Sequence, residues 1–197
     1  TIAAFEKASQ IDQIVVVVSE VFQIFVTQKV IDPYKFQKVS KVVAGGASRQ
    51  ESVLNALKSL SVSTSIVAIH DGVRALVRPS DIDRVVESAT KHKAAILAVP
   101  VNETVKEVEG DAITRTILRD KIWLAQTPQA FEFKLILDAH QKSSNRGNSD
   151  AITDDSILIE QCGIKVKVIE PSSSNTKVTT PEDLAFVESV LKGLRHG

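Results

Sequence analysis

His70-Asp71-Gly72-Val73-Arg74 closes a short β-branched run and puts a carboxylate and a guanidinium at a predicted strand end. A carboxylate there suits a magnesium ion that bridges phosphates, because magnesium takes one or two protein carboxylates and keeps several waters. Arg74 either complements the phosphate or pairs with Asp71 as a plain structural ion pair, and spacing leaves both readings open. His70 is read as a packed or hydrogen-bonded imidazole with no chemical role. Gly45-Gly46 is the second candidate, since glycines let a ligand approach the backbone and the helix opening near Ser48 offers N–H groups to an anion or a base edge. Paired glycines are equally an ordinary tight turn. Lys177, just before the helix start Thr180-Pro181-Glu182-Asp183, is placed to hold a phosphate or is a solvated surface lysine. Arg115 and Arg119 read as surface charges by themselves, and Thr153-Asp154-Asp155 as a helix cap.

These residues need rigid elements behind them, and the chain alternates strand-like with helix-like patterns. Residues 2–6 have helical character, 13–18 form a buried strand, 21–29 a helix, and 38–44 a strand that runs into Gly45-Gly46. Ser48-Arg49-Gln50-Glu51 has the Ser-x-x-Glu spacing of a capping box, followed by Val53, Leu54, Ala56, Leu57 and Leu60 at helical period. A second such unit follows: strand 66–69, a helix capped by Ser80-Asp81-Ile82-Asp83, and strand 95–99. Such alternation predicts a mostly parallel sheet with helices on both faces, in one domain. Ligands of open α/β sheets bind beyond the carboxyl ends of the strands, where the first two candidates fall.

Residues 102–120 break the pattern. Two alternating segments flank Glu109-Gly110-Asp111 and predict a hairpin. An isolated hairpin is marginal in water, so this arm is expected to pack on a partner, and a homodimer is the expected assembly. Beyond it, the pattern predicts a helix over 133–142, a polar mobile loop over 143–150, a helix opened by Thr153-Asp154-Asp155 and ended by Gly163, and a half-exposed strand carrying Ile164, Val166 and Val168. A last helix carries Leu184, Val187, Val190 and Leu191.

Composition bounds the alternatives. The 197 residues are 43% hydrophobic and carry 24 Lys+Arg against 24 Asp+Glu, which suits a globular chain and shows no basic excess for binding a nucleic-acid backbone. Cys162 is the single cysteine, and the four histidines are scattered without zinc-site spacing. No apolar run is long enough to span a bilayer, and no signal-like segment opens the chain, so the expected compartment is the cytoplasm.

Six segments add specificity by their order. They are Gly45-Gly46-Ala47-Ser48-Arg49-Gln50-Glu51-Ser52, His70-Asp71-Gly72-Val73-Arg74, Pro100-Val101-Asn102-Glu103-Thr104-Val105-Lys106, Gln126-Thr127-Pro128-Gln129, Thr153-Asp154-Asp155 and Asn175-Thr176-Lys177-Val178-Thr179-Thr180-Pro181-Glu182-Asp183-Leu184. In this order the chain resembles the 2-C-methyl-D-erythritol 4-phosphate cytidylyltransferase family. The resemblance implies a Rossmann-like three-layer α/β/α nucleotidyltransferase fold with a protruding β-arm and a homodimer built through that arm. It implies CMP transfer from CTP to the sugar phosphate, with magnesium and release of pyrophosphate. By motif, Gly45, Gly46 and Ser52 would contact cytosine or ribose, Asp71 would hold magnesium, and Gly72 and Arg74 would line the cleft. Thr104, Thr153 and Lys177 would bind the sugar phosphate, and Arg119 would reach the substrate of the other subunit, so that Arg119 and Lys177 position the attacking phosphate.

The family opens with a strand and a glycine-rich loop carrying an arginine and a lysine, and the resemblance starts downstream of that loop. A chain without the loop is expected to fold but turn over slowly. Ala47, Ala75 and Leu118 stand where an acid, a proline and an aspartate are usual. A ribitol 5-phosphate cytidylyltransferase shares most of these motifs and is the nearest alternative; an inactive nucleotide-binding module is the next.

Overall fold

The structure is a computed structural model that describes residues 1–145 and 154–193. A short helix, α1 (Ile2–Lys7), precedes strand β1 (Ile14–Val18), whose Ile-Val-Val-Val-Val sequence favours extended backbone. The helix expected over 21–29 is a series of short turns instead. A 3₁₀ turn (Glu20–Phe22), α2 (Gln23–Val26), a π turn (Thr27–Ile31) and a second 3₁₀ turn (Asp32–Tyr34) follow one another. β-branched and aromatic residues lose side-chain freedom in a helix, and no side chain caps any of these turns, so no single pitch is enforced. Strand β2 (Val39–Ala44) then pairs in parallel with β1 and leads through the glycines into α3 (Arg49–Ser59).

Strand β3 (Ile66–Ile69) is followed by α4 (Pro79–His92) and β4 (Ala94–Pro100). Helix α4 starts earlier than expected, with Arg78 as its N-cap and Pro79 in the first turn. Asp81 does not cap it. Its buried carboxylate accepts hydrogen bonds from the Ser172 amide and hydroxyl and from Arg84, tying α4 to a loop 91 residues away in sequence.

The hairpin is present as β5 (Val105–Glu109) and β6 (Ala112–Ile117), with Gly110 in the left-handed region at φ +63. It is exposed almost throughout. Strand β7 (Trp123–Glu132) returns from the arm, and α5 (Phe133–Asn145), α6 (Ser156–Gln161), β8 (Lys167–Ile169) and α7 (Pro181–Gly193) complete the chain. Helix α5 runs on through Ser143, Ser144 and Asn145, where a loop was expected; the rest of that expected loop lies outside the described residues.

The main sheet has the order β3-β7-β4-β8, and it is mixed rather than mostly parallel, because β7 is antiparallel to both neighbours. The cause is the arm. β4 and β7 are joined by a hairpin rather than a crossover helix, so the chain can only come back alongside itself in the opposite direction, pairing Pro100 with Trp123. β1 and β3, both expected as buried strands, are half-buried, since each lies at the edge of its sheet among the described residues.

The pleat divides β4 between two cores. Ile96 and Ala98 face Leu57 of α3, Phe133 and Ile136 of α5, and Leu158 and Ile159 of α6, whereas Ala95 and Leu97 face Val85, Val86 and Ala89 of α4. This is the three-layer α/β/α arrangement, with the strand ends and their loops left at the rim.

Candidate active site

The loop after β2 is braced by side chains from α3. Ser48 caps the helix by accepting from the Glu51 amide at 3.1 Å, and Glu51 Oε2 accepts from the Ala47 amide at 2.8 Å. The predicted capping box therefore forms, with Glu51 reaching one residue further back than the usual N-cap amide. Ser52 donates to the Ser48 carbonyl and accepts from the Gly46 amide. The Gly46 and Ala47 amides, and the Glu51 amide of the helix start that was expected to offer N–H groups to an anion, are thus already bonded within the loop.

Asp71 sits at the end of β3, and its surroundings differ from what the local sequence suggested. Three cations ring it: Lys177 Nζ at 3.3 Å, Arg74 Nε at 3.6 Å and Arg49 Nε at 3.7 Å. Lys177 and Arg49 come from segments distant in sequence, so no local spacing announced that they meet Asp71. A Cβ on neighbouring Gly72 would meet nothing within 4 Å, so the protein's own packing does not demand glycine there.

Below Asp71 lies a buried hydrogen-bond net centred on β7. The buried Thr127 hydroxyl accepts from the Asp71 amide at 3.0 Å and bonds His70 Nδ1 at 3.1 Å. His70 Nε2 bonds the Arg74 carbonyl at 3.1 Å, and the ring packs on Phe5 with centroids 4.9 Å apart. Burial pushes the His70 imidazole down to about 4, so it is neutral at ordinary pH and acts as a strap across the 70–74 turn. The Asn175 side chain donates to Gln126 and to the Thr127 carbonyl, while its backbone carbonyl accepts from Arg74 Nη1 at 2.8 Å. Gln129, also buried, accepts from the Asp155 and Ser156 amides at the start of α6 and donates to Asp154. Gln126-Thr127-Pro128-Gln129 is thus the common anchor for three loops.

Farther along the same side, Asp155 is fully buried and accepts from Arg49 Nη2 at 2.7 Å and His140 Nε2 at 3.0 Å. Burial would raise this carboxyl, but the bond from His140 and the charge of Arg49 outweigh it and hold it below the usual range.

Not every expected residue joins the cluster. Thr104 is exposed at the start of the arm, and Arg119 lies at the arm's base, where its Nη1 donates to the Asn102 carbonyl. Thr153 lies outside the described residues. An open cavity of about 410 Å³ lined by Pro100, Asn102, Gln126, Ser174, Asn175 and Thr176 lies between the arm's base and the segment that carries Lys177. Sequence reasoning missed Arg49, Thr127, Asn175, Asp155 and His140, all placed by contacts between distant segments.

A three-layer α/β/α fold with a cation-ringed carboxylate at a strand end is a Rossmann-like domain with a rim site suited to an anionic ligand, and the solved structures it superposes on make it one of the nucleotidyltransferase kind. The family model for 2-C-methyl-D-erythritol 4-phosphate cytidylyltransferase matches residues 1–193, and the chain belongs to that family. A protein of that name from Halalkalibacterium halodurans is 44% identical over 191 residues, covering 97% of this chain and 82% of the relative. One from Syntrophotalea carbinolica is 45% identical over 192 residues, with 97% and 82% covered. Among solved structures, the 4-diphosphocytidyl-2C-methyl-D-erythritol synthase of Anaerococcus prevotii superposes with a TM-score of 0.86 at 30% identity, covering 98% of this chain and 84% of that one. The Francisella tularensis cytidylyltransferase gives 0.80 at 31% identity, with 95% and 84% covered. Among the described residues, no helix is long and apolar enough to cross a membrane.

Proposed function

We propose that this chain, as one cytoplasmic cytidylyltransferase domain, transfers CMP from CTP to 2-C-methyl-D-erythritol 4-phosphate. The products are 4-diphosphocytidyl-2-C-methyl-D-erythritol and pyrophosphate. The observation that carries the reading is the ring of Arg49, Arg74 and Lys177 around Asp71, a site with cations for several phosphates and one carboxylate for a metal.

A phosphate oxygen of the sugar phosphate attacks the α-phosphorus of CTP in line. The bond from that phosphorus to the bridging oxygen breaks, and pyrophosphate leaves with the electron pair. The nucleophile is already ionised near neutral pH, so placement and charge neutralisation are the work left to the protein. Lys177 and Arg119 position the attacking phosphate, and Thr104 and Thr153 hold the rest of the sugar phosphate. Gly45, Gly46 and Ser52 receive the cytosine and ribose, and the cavity beside Asn175 gives the polyol room.

Magnesium fits this donor set. Asp71, a hard oxygen donor at the end of β3, would be the protein ligand of such an ion, which takes one or two protein carboxylates and keeps several waters. Bound there, magnesium would offset charge on the triphosphate and on the leaving pyrophosphate. Gly72, with open space before it, and Arg74 line the same cleft.

The arm supports a homodimer. Val108, Ile113, Leu118 and Leu124 are more than half exposed along it and at its base, and a second copy would cover them. In that dimer Arg119 serves the partner's site. Pyrophosphate release from CTP and magnesium, with methylerythritol phosphate and ribitol phosphate offered in parallel, tests the reading. Turnover with the first alone is expected, and turnover with ribitol phosphate alone would overturn the substrate assignment.

A further inference from the structure

Asp155 stands 106 residues from Arg49 in sequence, yet its carboxylate is the closest acid to that guanidinium. It is fully buried, and so is His140, whose Nε2 bonds the second carboxylate oxygen. Among the described residues His140 Nδ1 has no hydrogen-bond partner, so the ring's polar function there is spent on Asp155. The Asp155 amide and the neighbouring Ser156 amide are both held by Gln129, which fixes the backbone beneath the carboxylate. At the other end, Arg49 is partly exposed in the cleft and turns its Nε toward Asp71. The order is therefore a buried imidazole, a buried carboxylate, a cleft guanidinium and the carboxylate at the strand end.

Arg49 is a long side chain on the first residue of α3, and one held at a single edge loses far fewer rotamers when a phosphate arrives. We propose that Asp155 and His140 are positioning residues that hold Arg49 as a preset phosphate-binding cation beside Asp71. Arg49 meets the triphosphate; Asp155 and His140 act only through it. The proposal rests on the nucleotidyl-transfer reading for the identity of the ligand.

A double-mutant cycle on the full chain tests it, with magnesium-CTP affinity by calorimetry, kcat/KM for pyrophosphate release and thermal midpoint read on each protein. R49Q, which removes the phosphate-binding cation, and D155N, which removes its support, are each expected to weaken magnesium-CTP binding by about 10-fold or more. R49Q/D155N should bind no worse than R49Q alone, because Asp155 then has nothing left to position. Asp155 as a mere staple between α3 and α6 would lower the thermal midpoint, and its effect on affinity would be absent or would add in full to that of R49Q; either result overturns the proposal. Should D155N fail to fold, His140 carries the test. H140Q keeps an N–H donor toward Asp155 and should recover most of the affinity that H140F loses, and equal affinities for the two would overturn the proposal. If wild-type protein binds magnesium-CTP and shows this coupling but turns over neither sugar phosphate, the assigned reaction fails and the positioning role stands.

Discussion

Replacing Gly46 by alanine tests how tightly the loop after β2 is built. A Cβ at Gly46 would stand 2.2 Å from Glu51 Cγ, 2.4 Å from its Cδ and 2.5 Å from its Cβ. A terminal group could rotate away, but the Glu51 Cβ is fixed to α3, so the loop must move away from the helix or the Glu51 carboxylate must leave the Ala47 amide. Overpacking of this kind costs about 1–3 kcal/mol, and loss of the amide bond adds about 1 kcal/mol. A destabilisation of about 3 kcal/mol lowers the midpoint of a domain this size by roughly 6–12 °C. Gly45→Ala is milder: its Cβ meets the Ser52 hydroxyl at 2.9 Å, and that group can turn. Differential scanning calorimetry on G45A, G46A, E51A and G46A/E51A reads the difference. The double variant should be more stable than the sum of its parts, because alanine at 51 removes two of the three clashing atoms. A G46A midpoint within 2 °C of wild type, or strict additivity with E51A, would refute this account of the loop.

Thr127→Val keeps the shape of the side chain and deletes the hydroxyl that serves both the Asp71 amide and His70 Nδ1. It should cost about 2–3 kcal/mol in urea unfolding and reduce kcat/KM beyond what the lost stability explains, and unchanged kinetics would count against the anchor. If Arg119 acts across a dimer and Lys177 within its own subunit, mixing inactive R119A and K177A protomers should restore about a quarter of wild-type activity, because statistical exchange leaves half the dimers with one intact site; no recovery despite subunit exchange argues against action in trans. Stability should also fall as pH drops from 6.5 toward 4, since the unfolded chain takes a proton at His70 that the folded chain refuses until about 4. Above pH 6.5 this contribution is complete, and over the whole window it amounts to about 3 kcal/mol. H70Q should flatten that part of the profile, and an unchanged slope would show that other groups carry it.

Elements whose signal is local were legible from the chain alone. The Ile-Val-Val-Val-Val run, the Ser48 cap with Glu51, the glycine turn of the arm and the proline start of α7 all fell where the pattern put them. The turns from Glu20 to Tyr34 did not, because a helical apolar period says nothing about pitch when side-chain caps are lacking. Nor did the direction of β7, which depends on whether the arm is a hairpin or a crossover.

The site divides along the same line. Asp71, Gly72, Arg74 and Lys177 were picked out by residue type and position at strand and helix ends, and the order of six motifs pointed to a family that the whole-chain match then established. Only the tertiary structure showed that Arg49 and Lys177 close on Asp71, that Thr127 holds its amide, and that Asp155 and His140 stand behind Arg49. The sequence determines which groups exist and which short segments turn or extend, because those follow from neighbours a few residues apart. Contacts between positions 49 and 155, or 71 and 127, obey no spacing rule and arise only when the sheet brings its strand ends together.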